Sequence, residues 1–178
     1  RRVLLSSLPG AAITNIKIEG VSHEFATLKG AKEDVTEIVL NMKSVAVRTS
    51  KTDKTFKKVL RLRKQGPCVV TAADIEEDDE VKVLNPSLYI CTLEEDGVLD
   101  MEIMVGRGRG YVSADKNKDA SLPIGYIAID SIFTPVRAAS YEVENTRVGQ
   151  NTDFDKLILE VTTNGTVSSK EVVSLAAK

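Results

Sequence analysis

The chain has 178 residues, of which 42% are hydrophobic and 28% are charged, and its formal net charge is -2. This size allows one substantial core or two small ones, and the near-neutral charge gives no general attraction to nucleic acid or acidic lipid. The apolar runs are too short to span a membrane, and the opening residues do not form a signal peptide. Cys68 and Cys91 form no CxxC motif, which favours free thiols and leaves a disulfide open.

Helices are predicted at both ends of the chain. The opening "RRVLLSSLPG" has one apolar face, and Pro9 with Gly10 is expected to end the helix. Near the other end, Ser168 and Glu171 form a capping box ahead of a second apolar face. The residues of the two faces are Val3, Leu4, Leu5 and Leu8, and Val172, Val173, Leu175 and Ala176. Because both patterns are short, we interpret the sequence as a piece of a longer protein.

Between these ends, apolar residues mostly alternate with polar ones, which predicts strands. The alternating segments are 16–18, 60–62, 99–105, 127–129, 141–143 and 157–161. The turn "EEDG" inside 88–105 predicts a hairpin, and Asn164-Gly165 predicts a tight turn. One helix interrupts the strands, with Glu33 and Asp34 in its first turn and Lys43 in its last. Its apolar face comprises Val35, Ile38, Val39, Met42 and Val45.

This order of elements predicts an α+β fold in which one domain interrupts another. The helical ends belong to a domain of strands and helices that is split into residues 1–9 and 136–178. The strand-rich middle, residues 10–135, forms an inserted domain that is mainly β. Pro135 stiffens the chain in "IFTPVR", where it returns to the first domain.

Neither charge runs nor reactive side chains define a catalytic or metal site. Residues 51–64 carry seven Lys or Arg and one Asp, and residues 74–80 carry six acids, which we interpret as solvated strand ends and loops. His23 is the single histidine and has no cysteine or carboxylate at zinc spacing. No phosphate loop or nucleophile elbow is present. The sequence therefore predicts no catalytic residue, no metal and no cofactor.

The stretch "VGRGRGYV", residues 105–112, alternates glycine with Arg107 and Arg109. It fits no dinucleotide fingerprint, because strands are predicted on both sides, and it is too short for a disordered Arg-Gly segment that binds RNA. The glycines are expected to permit a bulge or unusual backbone angles after Val105. The arginines then pair locally or meet a partner's carboxylates. The residues of this stretch alone leave both of these roles for the arginines open.

Several long motifs occur together and in order: "RRVLLSSLPGAAIT", "GVSHEFATLKGAKEDVTEIVLNMKSV", "VTAADI", "RGRGYV", "FTPVR" and "YEVENTRVGQNTDFDKLILEVTTNGT". With these motifs the chain resembles the N-terminal domain of the alpha subunit of bacterial-type DNA-directed RNA polymerase over nearly its whole length. The resemblance implies a non-catalytic cytoplasmic assembly subunit, bacterial or organellar, that forms a homodimer and a platform for the beta and beta-prime subunits. It implies no membrane partner, and DNA contact would come from a C-terminal domain outside this sequence.

The resemblance also implies two sets of contact residues. The dimer interface is expected at Val3, Leu4, Leu5, Leu8, Val172, Val173 and Leu175. The large-subunit interface is expected at Arg1, Arg2, Leu5, His23, Lys43, Arg107, Arg109, Arg147, Gln150 and Asp153. Asn151 stands where many members have Arg. The alternative is a free-standing β-rich module that binds RNA through 51–64 and 105–112.

Overall fold

The computed structural model describes residues 1–178, which form four α-helices, a 3-10 turn and twelve β-strands. This mixture confirms the predicted α+β class. The helices are α1 (Arg2–Ser6), α2 (Val35–Lys43), α3 (Ala114–Asn117) and α4 (Ser169–Ala177). The first six strands are β1 (Pro9–Ile18), β2 (Val47–Thr49), β3 (Lys57–Gln65), β4 (Cys68–Thr71), β5 (Val81–Val83) and β6 (Tyr89–Leu93). The others are β7 (Val98–Arg109), β8 (Tyr111–Val112), β9 (Tyr126–Ala128), β10 (Ser131–Ile132), β11 (Val136–Val148) and β12 (Asn151–Thr163).

The largest sheet has the order β3-β7-β1-β9, and every neighbouring pair in it is antiparallel. The alternation in β7 places one face of the strand in the interior, where Leu99, Met101, Ile103 and Val105 are fully buried. These residues belong to a core of 26 buried side chains that lies entirely within 13–129. Since burial of a large aliphatic side chain contributes about 1.5–3 kcal/mol, this core supplies most of the apolar stabilisation.

Helix α2 packs against β1 and β6 through the predicted apolar face, whose five residues are all buried. Asp34 is the residue before its first turn, and Glu37 is the acid inside that turn. The placement of Glu33 in the first turn is therefore wrong. Its carboxylate instead accepts hydrogen bonds from the Tyr89 hydroxyl and from the Thr92 N–H, which connects the approach to α2 with β6.

The predicted hairpin from 88 to 105 is wrong, because β6 and β7 belong to different sheets. β6 pairs with β4, whereas β7 lies between β3 and β1. The turn between β6 and β7 is bonded to two other segments. The Glu94 N–H donates to the Gly30 carbonyl at 2.8 Å, and the Gly66 N–H donates to the Gly97 carbonyl at 2.8 Å. These hydrogen bonds hold the turn against other segments and keep β6 and β7 apart. The alternation of apolar and polar residues gives no information about such long-range contacts.

The glycine-rich stretch is straight-running strand for most of its length, because β7 continues to Arg109. The bulge predicted after Val105 lies on β1, where Thr14 is the extra residue opposite it. Among the three glycines only Gly110 has a positive φ, of 63°. Gly108 serves a different purpose, since an added Cβ would lie 2.8 Å from the Phe133 ring. The glycines thus allow close packing at Gly108 and a turn at Gly110, which confirms the unusual backbone angle expected after Val105, whereas the bulge lies on the neighbouring strand.

A second, smaller core joins the two ends of the chain. It consists of Leu4 in α1, Leu8 just after α1, Val136 and Ala139 at the base of β11, and Val172 in α4. Helix α1 ends at Ser6, so the expectation that Pro9 and Gly10 stop it is wrong: these two residues begin β1. The division into 1–9 with 136–178 and 10–135 stays a prediction. None of the four helices has the length and apolar composition that crossing a bilayer requires.

Candidate interaction surfaces

The apolar faces of the terminal helices are largely covered within one chain. Leu4, Leu8 and Val172 are at most 5% exposed, because the base of the β11–β12 hairpin packs over them. Leu5 and Val173 are half-buried. Val3 and Leu175 are 46% and 48% exposed. Leu4, Leu8 and Val172, which were expected at a dimer interface, are therefore covered already within one chain. A dimer contact stays a prediction, and Val3 and Leu175 are the side chains that reach the surface.

The predicted contact residues at the start of the chain differ in how they are held. The Arg1 Nε–H donates to the Ala139 carbonyl at 2.8 Å, which fixes this side chain against β11. Arg2 is exposed and forms no ion pair, and Leu5 lies at the edge of the small core. His23 is exposed in the loop before α2. Arg2 and His23 are consequently free for a partner, whereas Arg1 already has a structural contact.

Lys43 is not the free cation that the sequence suggested. Its ammonium nitrogen lies 2.7 Å from an Asp130 carboxylate oxygen, and both side chains are less than one-third exposed. The other Asp130 oxygen accepts the Ala114 N–H at 2.8 Å. These hydrogen bonds, the one from Lys43 first, hold the pKa of Asp130 below its usual value. The pair joins the end of α2 to the loop before β10, so this charge already has a partner inside the chain.

Two of the other predicted contacts, Arg107 and Arg109, lie at the end of β7, and the last three lie at the tip of the β11–β12 hairpin. Arg147, Gln150 and Asp153 are all exposed there, and Gly149 makes the turn with a φ of 64°. The Arg147 Nε–H donates to the Gly149 carbonyl at 2.6 Å. Ala139 is eight residues before Arg147, so at about 3.3 Å per residue the tip lies about 25 Å from the Arg1 contact. The predicted large-subunit residues therefore form several separate patches.

Sequence reasoning missed one surface, the exposed apolar face of this hairpin, which we call the ribbon face. It comprises Tyr141, Val143, Leu157 and Leu159. Tyr141 pairs with Leu159 and Val143 with Leu157, so the four side chains lie on one side. The first three are 56–63% exposed, while Leu159 packs against the small core. The face is thus a continuation of that core onto an open surface. The alternation of apolar and polar residues in 141–143 and 157–161 indicated this face, but it was used only to predict strands.

The opposite side of the same hairpin is more polar, since it carries Glu142, Glu144 and Lys156 beside one apolar residue, Ile158. Glu144 and Lys156 pair across the strands, with 3.5 Å between the charged atoms. β11 and β12 pair only with each other, so no further strand pairs with either edge of the hairpin. A two-stranded hairpin with a large exposed apolar face is stabilised when another surface packs on it. The ribbon face therefore has the character of an interaction surface.

The basic run is largely paired with acids, and part of that pairing is with the acidic run. Six of the seven cations in 51–64 form ion pairs: three with acids of 74–80, and three with Asp100, Glu102 and Asp119. Lys51 lies 3.0 Å from Glu80, and Lys58 lies 3.2 Å from Asp78. The hydrogen bond and attraction to Asp78 raise the pKa of Lys58. This pairing leaves the RNA-binding alternative without most of the cations on which it depended.

The comparisons identify the class of protein to which this architecture belongs. The model of the family described as RNA polymerase Rpb3/RpoA insert domain matches residues 16–134, and the chain belongs to this family. Over all 178 residues it is 57% identical to the DNA-directed RNA polymerase subunit alpha of Alkaliphilus metalliredigens. It is 54% and 55% identical to the proteins of that name from Clostridium beijerinckii and Clostridium perfringens. The chain covers 56% of each of these three proteins, so it spans about half their length.

Proposed function

We propose that this chain is the assembly region of a bacterial RNA polymerase alpha subunit. In this role it forms a homodimer and provides the platform that binds the beta and beta-prime subunits in the cytoplasm. It supplies no catalytic residue, and nucleotidyl transfer takes place in the large subunits. The observation that carries the proposal is the identity of 52–57% to proteins named subunit alpha, which extends over the whole chain.

The two separate cores support two structural units within the platform. The core of 26 residues stabilises the inserted domain, and the five-residue core joins α1, α4 and the hairpin. Because the small core is built from both ends of the sequence, the chain enters the inserted domain and returns from it at the same place, beside this core. This arrangement supports the limits 1–9 with 136–178 and 10–135. It also supports a dimer contact at Val3 and Leu175, on the domain that carries the hairpin.

The ribbon face is the surface on which we expect a large subunit to pack. Its four apolar side chains project from a hairpin that no other strand covers, and the charged tip lies beside it. Covering half-exposed side chains of this size contributes about 1 kcal/mol each. Arg147 and Asp153 at the tip then add charged contacts that set the orientation of the partner.

Capture of the large subunits by the full-length protein tests this proposal. We expect Val143→Ser on the ribbon face to weaken capture of beta or beta-prime, because it places a hydroxyl in an apolar contact. The matched control is Val69→Ser on β4, since Val143 and Val69 are 56% and 55% exposed. Pull-down of co-expressed subunits measures the effect, with circular dichroism to verify folding.

Loss of capture by the Val143 variant, with normal capture by the Val69 variant, is the expected result. Equal capture by both variants would remove the ribbon face from the interface. Failure of the unmodified full-length protein to retain either large subunit would overturn the proposed function itself.

A further inference from the structure

A concave site with positive charge lies where the loop before β3 meets the start of β1 and the end of β7. Its volume is about 380 Å³. The lining residues are Pro9, Thr52, Lys54, Arg107, Gly108 and Arg109. Three of them are cations, none is acidic, and none of the three cations takes part in a salt bridge. We call this site the basic pocket.

The basic pocket is exceptional because the neighbouring cations are neutralised. In 51–64, Lys54 is the one cation without an acidic partner, and it faces the same concavity as Arg107 and Arg109. Bringing three like charges together is unfavourable, and an anion between them converts this repulsion into attraction. An anion is therefore attracted to this pocket more than to the neighbouring cations, since those already form ion pairs.

We propose that the basic pocket binds a compact, multiply charged phosphate anion, of which pyrophosphate is the simplest representative. Arginine guanidinium groups donate two parallel hydrogen bonds to phosphate oxygens, and the Lys54 ammonium adds a point charge. The Thr52 hydroxyl is a further donor. Three cations match the charge of a phosphate anion better than that of a single carboxylate, which is the reason to favour phosphate over an acidic side chain.

The geometry prepares the pocket for such a ligand. Arg107 is half-buried, and its Nη1 donates to the Lys51 carbonyl, which orients the guanidinium group and leaves its other N–H groups available. Gly108 lies between the two arginines and also lines the pocket, so the strand backbone forms part of the site. The sequence placed Arg107 and Arg109 on one strand, but only the fold brings Thr52 and Lys54 to them.

Calorimetric titration of the full-length protein with pyrophosphate, at low ionic strength, tests the site. We expect saturable binding that Arg109→Gln weakens about tenfold, which corresponds to about 1.4 kcal/mol for a charge-assisted hydrogen bond. Lys54→Gln should weaken binding in the same direction. The matched control is Arg48→Gln, because Arg48 is also exposed and outside every salt bridge but lies on β2.

Three results would overturn the proposal. One is the absence of saturation by millimolar pyrophosphate, and another is an equal loss for Arg48→Gln, which would indicate general charge attraction. The third is tighter, Arg109-dependent binding of an oligoglutamate peptide or of single-stranded RNA than of pyrophosphate. The titration contains no large subunit, so its outcome is separate from that of the capture assay. Normal capture of the large subunits without pyrophosphate binding would overturn the proposed anion site and leave the proposed function unaffected.

Discussion

Removal of the Lys43 ammonium group should reduce stability, because this group is bonded inside the chain. It lies 2.7 Å from Asp130, and the two side chains are 26% and 30% exposed. An exposed ion pair contributes about 0–1 kcal/mol, and a hydrogen bond to a charged group contributes about 1.5–3 kcal/mol. For this partly shielded pair we expect about 1 kcal/mol. In a chain of this size, that loss lowers the melting temperature by about 2–4 °C.

A double-mutant cycle isolates this energy. The variants are Lys43→Ala, Asp130→Ala and the double replacement, and urea unfolding gives the free energy of each. We expect a coupling of about 1 kcal/mol. Asp130→Ala alone should cost more than Lys43→Ala, because the Ala114 N–H loses its acceptor as well. Arg2→Ala is the control: Arg2 is exposed and forms no ion pair, so its stability effect should stay below about 0.5 kcal/mol.

The coupling should also depend on pH with a definite sign. The pKa of Asp130 is lowered in the folded chain, chiefly by the hydrogen bond from Lys43. A carboxyl with a lowered pKa stabilises the fold above its unfolded pKa, and the contribution disappears as pH falls through the folded pKa. The coupling should therefore be complete at neutral pH and decline below the usual aspartate value of 3.8. A coupling near zero at neutral pH, or one that does not change in acid, would refute this reasoning.

Four further predictions concern burial and close packing. Val172→Ala should destabilise the protein by about 2 kcal/mol in urea unfolding, because it removes a fully buried side chain of the small core. Leu175→Ala, at 48% exposure, should leave stability nearly unchanged and reduce dimerisation in sedimentation. Gly108→Ala should cost about 1–3 kcal/mol in thermal melts, because its Cβ would press on the Phe133 ring. The Cys91 thiol, buried and with its pKa raised to about 12, should resist thiol reagents at about pH 8 until the chain unfolds, as measured by mass spectrometry.

Local patterns predicted most elements but not how they pair. The apolar face of α2 was found in full, because a helix with a period of 3.6 residues shows its buried side directly in the sequence. The strand face of Leu99, Met101, Ile103 and Val105 was found for the equivalent reason. The hairpin from 88 to 105 was predicted wrongly, because adjacency in sequence was taken for adjacency in the sheet. The turn between β6 and β7 contacts Gly30 and Gly66, which are distant in the sequence. The periodicity of apolar residues contains no information about contacts of this kind.

The predicted contact residues show the same limit. The resemblance identified Lys43 as a candidate contact residue, but its Asp130 partner lies 87 residues away in the chain. The ribbon face escaped notice because an exposed alternating strand and a half-buried one have the same pattern. The acidic and basic runs were recognised as charged and solvated, whereas their mutual pairing became visible only in the structure.

The sequence by itself determined the family, the α+β class and the local elements, because these depend on long ordered motifs and on short-range periodicity. Only the tertiary structure decided which residues are covered and which remain free. It buried Leu4, Leu8 and Val172 under the hairpin, paired Lys43 with Asp130, and left the ribbon face open. It also gathered Lys54, Arg107 and Arg109 around one pocket. The physical reason is that burial and charge pairing arise between segments that are distant in the chain, so they follow from packing and not from local composition.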